Sequence, residues 1–243
     1  MLKIIYINDL NNKMKYQFYD IIRNIYLQLN SGVSIHDVSL PIFICEPRSM
    51  LEKISDFMCY PQFIIRVPYL ENSLQRFVGI VRFVLSCWSL NPHVVKKPFN
   101  PVLGEYFRAR WKFSDNSYGY YVGEQTSFNP PISSYYFCNP ENGIVIHGEV
   151  RPKTKFFGTN LKTFLNGGNK IIFHKHYKNM NNRKEKICSS LVGIDEEYYI
   201  STPNITIKNK WFTSLTMDFS EDFFIWCPNT QYFSVINFSD KVR

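Results

Sequence analysis

KKPFNPVLGEYFRARWKF, from Lys96 to Phe113, is where the hydrophobic period of the chain changes, and its reading decides the fold. Pro98, Asn100, Pro101 and Gly104 build a turn, because proline fixes φ and glycine accepts backbone conformations closed to other residues. Beyond the turn Phe107, Ala109, Trp111 and Phe113, in phase with Glu105, alternate with Tyr106, Arg108, Arg110 and Lys112. A period of two belongs to a strand, here with one apolar and one basic face. Ahead of the turn, rigid backbone holds the two cations Lys96 and Lys97 at a defined place.

Downstream the same period recurs in short runs: Tyr118 to Gln125, Ile132 to Cys138, Gly143 to Val150, Lys170 to Lys178, Glu197 to Thr202, Ile205 to Lys208, Asp222 to Cys227 and Gln231 to Phe238. Turn residues separate them, as in Asn139-Pro140-Glu141-Asn142-Gly143 and Asn166-Gly167-Gly168. Upstream the period is helical. Lys13 to Asn30 sets Met14, Phe18, Ile21, Ile22, Ile25 and Leu29 on one face, with Ser31-Gly32 as the stop. Pro47 to Phe57 reads as a second helix starting at its proline, with Met50, Leu51, Ile54 and Phe57 on one face. Glu71 to Leu90 reads as a third, burying Leu74, Phe77, Val78, Val81, Val84, Leu85 and Trp88 while Arg76 and Arg82 stay wet. These helices are expected on the outside or at one end of the sheet. The fold class is mainly β with N-terminal helices: one domain over 1-243, helical in 1-92 and an antiparallel meander curling towards a barrel in 93-243.

A second motif, GEQTSFNPPISSYY from Gly123 to Tyr136, ends one strand in Thr126, Ser127 and Asn129, held by Pro130 and Pro131 before the next begins. Hydroxyl and amide groups beside a lysine pair can bind an anionic group.

Two blocks carry a family resemblance. Lys97, Pro98, Phe99, Asn100, Pro101, Leu103, Gly104 and Glu105 form an intact KPFNP-x-LGE pattern. Glu124, Gln125, Thr126, Ser127, Phe128, Asn129, Pro130 and Pro131 stand against the signature E-Q-V-S-H-H-P-P. With SLPIFICEPRSMLEKISDF (Ser39 to Phe57) upstream, the chain resembles the ligand-binding domain of the oxysterol-binding-protein-related family of lipid-transfer proteins. The resemblance implies a barrel-like sheet enclosing a lipid tunnel, a lid near Met1 to Leu10 or in the following helix, and no enzymatic activity. It implies no cofactor beyond a bound sterol or phospholipid. It also implies that Lys97 and Asn100, with two histidines, hold the headgroup of phosphatidylinositol 4-phosphate.

Both histidines are replaced, by Phe128 and Asn129. Phe128 donates no hydrogen bond, and Asn129 offers an amide without charge. Charge-assisted bonds contribute about 1.5 to 3 kcal/mol each, so two lost bonds correspond to roughly two to four orders of magnitude in phosphoinositide affinity. The added apolar area tilts the expected cargo towards a sterol. The headgroup-binding set expected here is Lys96, Lys97, Asn100, Ser127 and Asn129. The family's domain is longer, so the sheet is expected to be incomplete at its C-terminal side.

Composition agrees with this class. Aromatic residues make up 17 % of the chain, which suits a sheet or an apolar cavity. The net charge is +8, and Arg151 to Lys186 holds ten Lys or Arg against Glu185 alone. Such a stretch suits an anionic membrane surface; no nucleic-acid-binding motif accompanies it, and no nucleic-acid partner is expected. Six cysteines without a C-x-x-C pattern read as reduced, mostly buried thiols. His174 and His176 have no third ligand nearby in sequence, so no metal site is expected. Glu221-Asp222-Phe223-Phe224 reads as the start of a strand, although it resembles an acidic two-phenylalanine docking tract. Without a signal segment or an apolar run of membrane length, a cytoplasmic protein peripherally associated with membranes is expected. Two functions remain open: lipid transfer between membranes, and a non-transferring membrane-surface adaptor from the same family.

Overall fold

The structure, a computed structural model, describes residues 23, 26–28, 30–32, 45–88, 97–157, 160–174, 195–210 and 214–238. Lys96, His176, Cys188, the Met1 to Leu10 lid candidate and most of the Lys13 to Asn30 helix lie outside them. Arg23, Tyr26, Leu27, Gln28 and Asn30 are helical, and Ser31 donates its amide to Leu27 and Gln28, closing that helix where Ser31-Gly32 was expected to.

Two strands, β1 (Cys45–Ser49) and β2 (Lys97–Phe99), pair in parallel. The others form one eleven-stranded antiparallel sheet: β3 (Tyr106–Lys112), β4 (Tyr118–Ser127), β5 (Ile132–Asn139), β6 (Ile144–Phe157), β7 (Asn160–Asn166), β8 (Asn169–Phe173), β9 (Glu196–Ile200), β10 (Asn204–Lys210), β11 (Ser214–Ser220), β12 (Phe223–Cys227) and β13 (Tyr232–Ile236). The first four run in sequence order. The sheet then forks along β6: its first half pairs with β8, which leads to β9, β12 and β13, and its second half pairs with β7, which leads to β10 and β11. Among the described residues β3, β11 and β13 are paired on one side only, so the sheet does not close.

Alternation decides the faces. On β4 the burial follows the period of two, with Tyr121, Gly123 and Gln125 inward and Tyr120, Val122 and Glu124 outward. β7 and β11 were not anticipated; NLKTFLN of β7 mixes polar and apolar positions, whereas SLTMDFS of β11 does alternate, with Leu215, Met217 and Phe219 between polar residues, and carried a strand signal. Phe223 is fully buried as the first residue of β12, so the acidic two-phenylalanine segment is a strand start.

The helices correct three expectations. Ser49 caps the second helix, which runs Met50–Ile54 before tightening into a 3-10 segment, and Pro47 lies in β1 instead. The third helix, Ser73–Trp88, buries Phe77 and Val84 as expected, with Val81 and Trp88 packed against the core, but its inward face is rotated: Ile80 and Phe83 are buried as well, while Leu74, Val78 and Leu85 are exposed. Arg76 is buried too. Its guanidinium donates to both carboxylate oxygens of Glu196 on β9, at 2.6 and 3.1 Å, and to the Leu70 and Glu71 carbonyls. That pair, with Phe77 against Tyr198 and Tyr232, sets the helix rotation. Arg82 stays exposed, over the Phe63 ring at 4.3 Å.

The helical layer packs on the inner face of the sheet and not on its outside. Phe57 meets Tyr121, Tyr135 and Phe137, and Trp88 meets Phe219. One core runs from the helices into β3 to β6, β8, β9, β12 and β13. The five described cysteines are free, and only Cys227 is buried; Cys59 is exposed, against the expectation of mostly buried thiols.

Candidate functional site

The two motifs meet at one end of the sheet because the β3–β4 hairpin folds them side by side. Tyr106 stands opposite Glu124, and Gly104 and Glu105 extend the ladder to Gln125: the Gly104 amide donates to Gln125, and the Gln125 amide to Glu105, each at 3.0 Å. Gly104 has a φ of +79°, a left-handed conformation that glycine adopts without strain.

Glu105 clamps three pieces together. Its carboxylate accepts from the Ser49 hydroxyl at 2.5 Å and from the Val102 amide at 3.0 Å, tying β1 and the Asn100–Gly104 turn to the start of β3. Gln125 does the same for the second motif. Its amide, 2 % exposed, donates to the Ser127 carbonyl at 2.7 Å and accepts from the Ser133 hydroxyl at 2.6 Å. Pro98 and Pro101 are buried. These four side chains shape the site from within.

Most residues of the two turns face solvent. Lys97, Phe99, Asn100, Val102, Leu103, Thr126, Phe128, Asn129, Pro130 and Pro131 are exposed, and Ser127 is half-buried. Thr126 shares a hydrogen bond with Ser134 at 3.0 Å on the outer face. The Asn129–Pro130 bond is cis. Lys97 is exposed in β2, opposite Cys45. The Gly104–Gln125 bond thus sets the Asn100–Gly104 turn beside the turn that carries Ser127 and Asn129, at one rim of the sheet, with Lys97 in the adjoining β2.

Behind the rim, the inner face of β3 is apolar and only half covered. Phe107, Ala109 and Trp111 are partly buried; Phe107 and Trp111 lie 6.3 and 6.2 Å from the Tyr121 ring, and Trp111 lies 6.1 Å from Phe137. The strand alternation read from sequence marked this face, but not that Tyr121 from β4 would complete it.

The opposite end of the same hairpin is locked by polar groups. Asp115 accepts from the Ser117 amide and hydroxyl and from Asn142, Asn139 donates to the Ser117 hydroxyl, and Tyr69 donates to Asn142 at 2.6 Å. Burial pushes the Asp115 carboxyl up, but these hydrogen bonds outweigh it and hold the carboxyl below its usual value. Burial and the neighbouring Lys170 lower the His147 pKa. The His174 ring lies 3.1 Å from Asp195, and among the described residues no three His, Cys, Asp or Glu gather as a metal site would need. No helix among them is long and apolar enough to cross a membrane.

The oxysterol-binding protein family model matches residues 25–243. Oxysterol-binding protein homolog 6 of Saccharomyces cerevisiae is 33 % identical over 213 residues, covering 88 % of this chain and 45 % of that protein. The crystal structure of the Osh1 ORD domain in complex with ergosterol superposes with a TM-score of 0.71 at 25 % identity, over 84 % of this chain and 44 % of that one. The Osh3 ORD of Saccharomyces cerevisiae in complex with PI(4)P superposes with a TM-score of 0.64 at 19 % identity, over 84 % and 48 %, which speaks to the fold alone. The chain spans about half the length of the curated relatives first matched.

Proposed function

Since the chain belongs to the oxysterol-binding protein family, we propose that it binds a lipid, a sterol or a phospholipid, and carries it between membranes. The observation that supports this most directly is the half-covered apolar face of Phe107, Ala109 and Trp111, which starts at the rim where the two motifs meet. Apolar surface left open beside convergent polar groups suits an amphipathic cargo: the acyl or sterol body leaves water at about 25 cal/mol per Å² buried. In this reading Lys97, Asn100, Ser127 and Asn129 take the polar headgroup, with Lys96 beside them. The solved relatives named above are described with ergosterol and with PI(4)P. Replacement of the histidine pair by Phe128 and Asn129 favours the weakly charged cargo.

Lys97→Ala tests the headgroup role. Uptake of a phospholipid from vesicles should fall about ten- to hundredfold, the equivalent of one charge-assisted hydrogen bond. Uptake equal to the parent protein's would remove Lys97 from the site.

The edges of β3, β11 and β13, open among the described residues, favour a second reading, a membrane-surface adaptor that carries no cargo. It predicts binding to anionic vesicles by a protein that extracts nothing from them.

A further inference from the structure

The outer face of β3 carries Arg108, Arg110 and Lys112, all exposed and none in an ion pair among the described residues. The Arg108 guanidinium lies 5.0 Å from the Tyr106 ring and that of Arg110 5.3 Å from the Tyr118 ring. Such contacts hold each cation over an aromatic face without neutralising it. A shallow groove of about 420 Å³ lies between the two arginines, Tyr120, Val122 and Tyr136. The longer basic stretch read from the sequence differs: Arg151 pairs with Glu149, Lys162 with Glu221 and Lys170 with Glu197, leaving Lys153 and Lys155 as its exposed cations outside any ion pair among the described residues.

At the rim end of the same strand stand Phe128, Val102 and Leu103, 70, 68 and 62 % exposed. They are the three most exposed large hydrophobic side chains among the described residues. The Gly104–Gln125 bond keeps their two turns adjacent. Uncovered apolar side chains next to unpaired cations cost solubility unless something covers them.

We propose that this surface docks the protein on an anionic phospholipid bilayer, with Val102, Leu103 and Phe128 entering the acyl region and Arg108, Arg110 and Lys112 meeting lipid phosphates. The charge is complementary to an anionic leaflet, and cations at alternate strand positions stand about 7 Å apart, which lets each meet a separate headgroup. The tyrosine rings around them, apolar with a polar tip, suit the interface between headgroups and chains. A nucleic acid would match the cations but would leave the three apolar side chains in water. The inference rests on the lipid-binding reading and adds which face meets the membrane: docking this way brings the rim to the bilayer from which cargo would come.

The test is flotation of the full chain with phosphatidylcholine vesicles, with or without about one fifth phosphatidylserine. In parallel, sterol and phospholipid loading is measured from vesicle-free dispersions. Arg108→Ser/Arg110→Ser/Lys112→Ser should cut binding to the anionic vesicles about a hundredfold, three cations each contributing roughly a fivefold partition. Val102→Ser/Leu103→Ser/Phe128→Ser should weaken binding to both vesicle types. Lys153→Ser/Lys155→Ser should leave flotation near that of the parent. All six side chains are exposed, so the melting temperature verifies folding; if the apolar variant does not fold, the charge variant decides.

Parent-like flotation of the charge variant overturns the proposal, and so does an equal loss in Lys153→Ser/Lys155→Ser. Loss of binding to RNA without loss of flotation overturns it in favour of a nucleic-acid surface. A parent that docks through this face but loads no lipid upholds the docking inference while removing the cargo reading. Normal loading with flotation indifferent to the variants does the reverse.

Discussion

Phe128 and Asn129 occupy the turn at which the family signature has two histidines, and both side chains are exposed at the rim. Phe128 is exposed among the described residues, so a phenylalanine in place of the histidine is not a repair of the core. Phe128→His/Asn129→His should therefore fold normally and raise affinity for phosphatidylinositol 4-phosphate by roughly two to four orders of magnitude, read by fluorescence titration with a labelled lipid. Unchanged affinity would mean that the rim does not face the headgroup. At the other end of the hairpin, Asp115 ties two turns through its carboxylate. Its lowered pKa means that the ionised form binds the fold better, so the stabilisation is full above the usual carboxylate range and is lost as pH falls through the lowered value. Asp115→Asn should lower the melting temperature at neutral pH and flatten its fall on acidification; a parallel fall in both proteins would refute the assignment. No local pattern marked Asp115, because its partner Asn142 is 27 positions away.

Among the elements, the helix Ser73–Trp88 shows where a periodic pattern misleads. Apolar residues occupy most of its positions, so several stripes qualify as the buried one. The stripe that won is the one that also buries Arg76, because Glu196 on β9 receives its guanidinium in bidentate fashion and Tyr198 donates to the same carboxylate at 2.7 Å. Removing one partner leaves a charge buried alone. Arg76→Met should cost about 3 to 5 kcal/mol in denaturant unfolding, and Arg76→Met/Glu196→Met should recover most of it. A single variant as stable as the parent would mean that water reaches the pair. The exposed stripe of Leu74, Val78 and Leu85 is the other half of the same choice.

At the scale of the molecule, a forked sheet with one helical layer on its inner face leaves three edges and the apolar flank of β3 uncovered among the described residues. If that flank holds cargo, native mass spectrometry of protein purified from a eukaryotic host should show a stoichiometric sterol or phospholipid that solvent extraction releases. Protein that arrives empty yet floats with anionic vesicles would support the adaptor reading instead.

The sequence by itself determined the β class, most of the strands with clean alternation and the two motifs, since each rests on neighbours within a few residues: a period of two, a proline or glycine turn, a run of family-like positions. Within the motifs it did not separate Glu105, Gln125, Pro98 and Pro101, which face inward or clamp the turns, from Lys97, Asn100 and Phe128, which face solvent. Only the tertiary structure decided that, together with the helix face, the fork along β6 and the neutralisation of Arg151, Lys162 and Lys170 by Glu149, Glu221 and Glu197. Most of these turn on partners tens of residues away, 120 positions for Arg76 and 56 for Glu105, and no local pattern encodes which distant carboxylate or hydroxyl a side chain will meet.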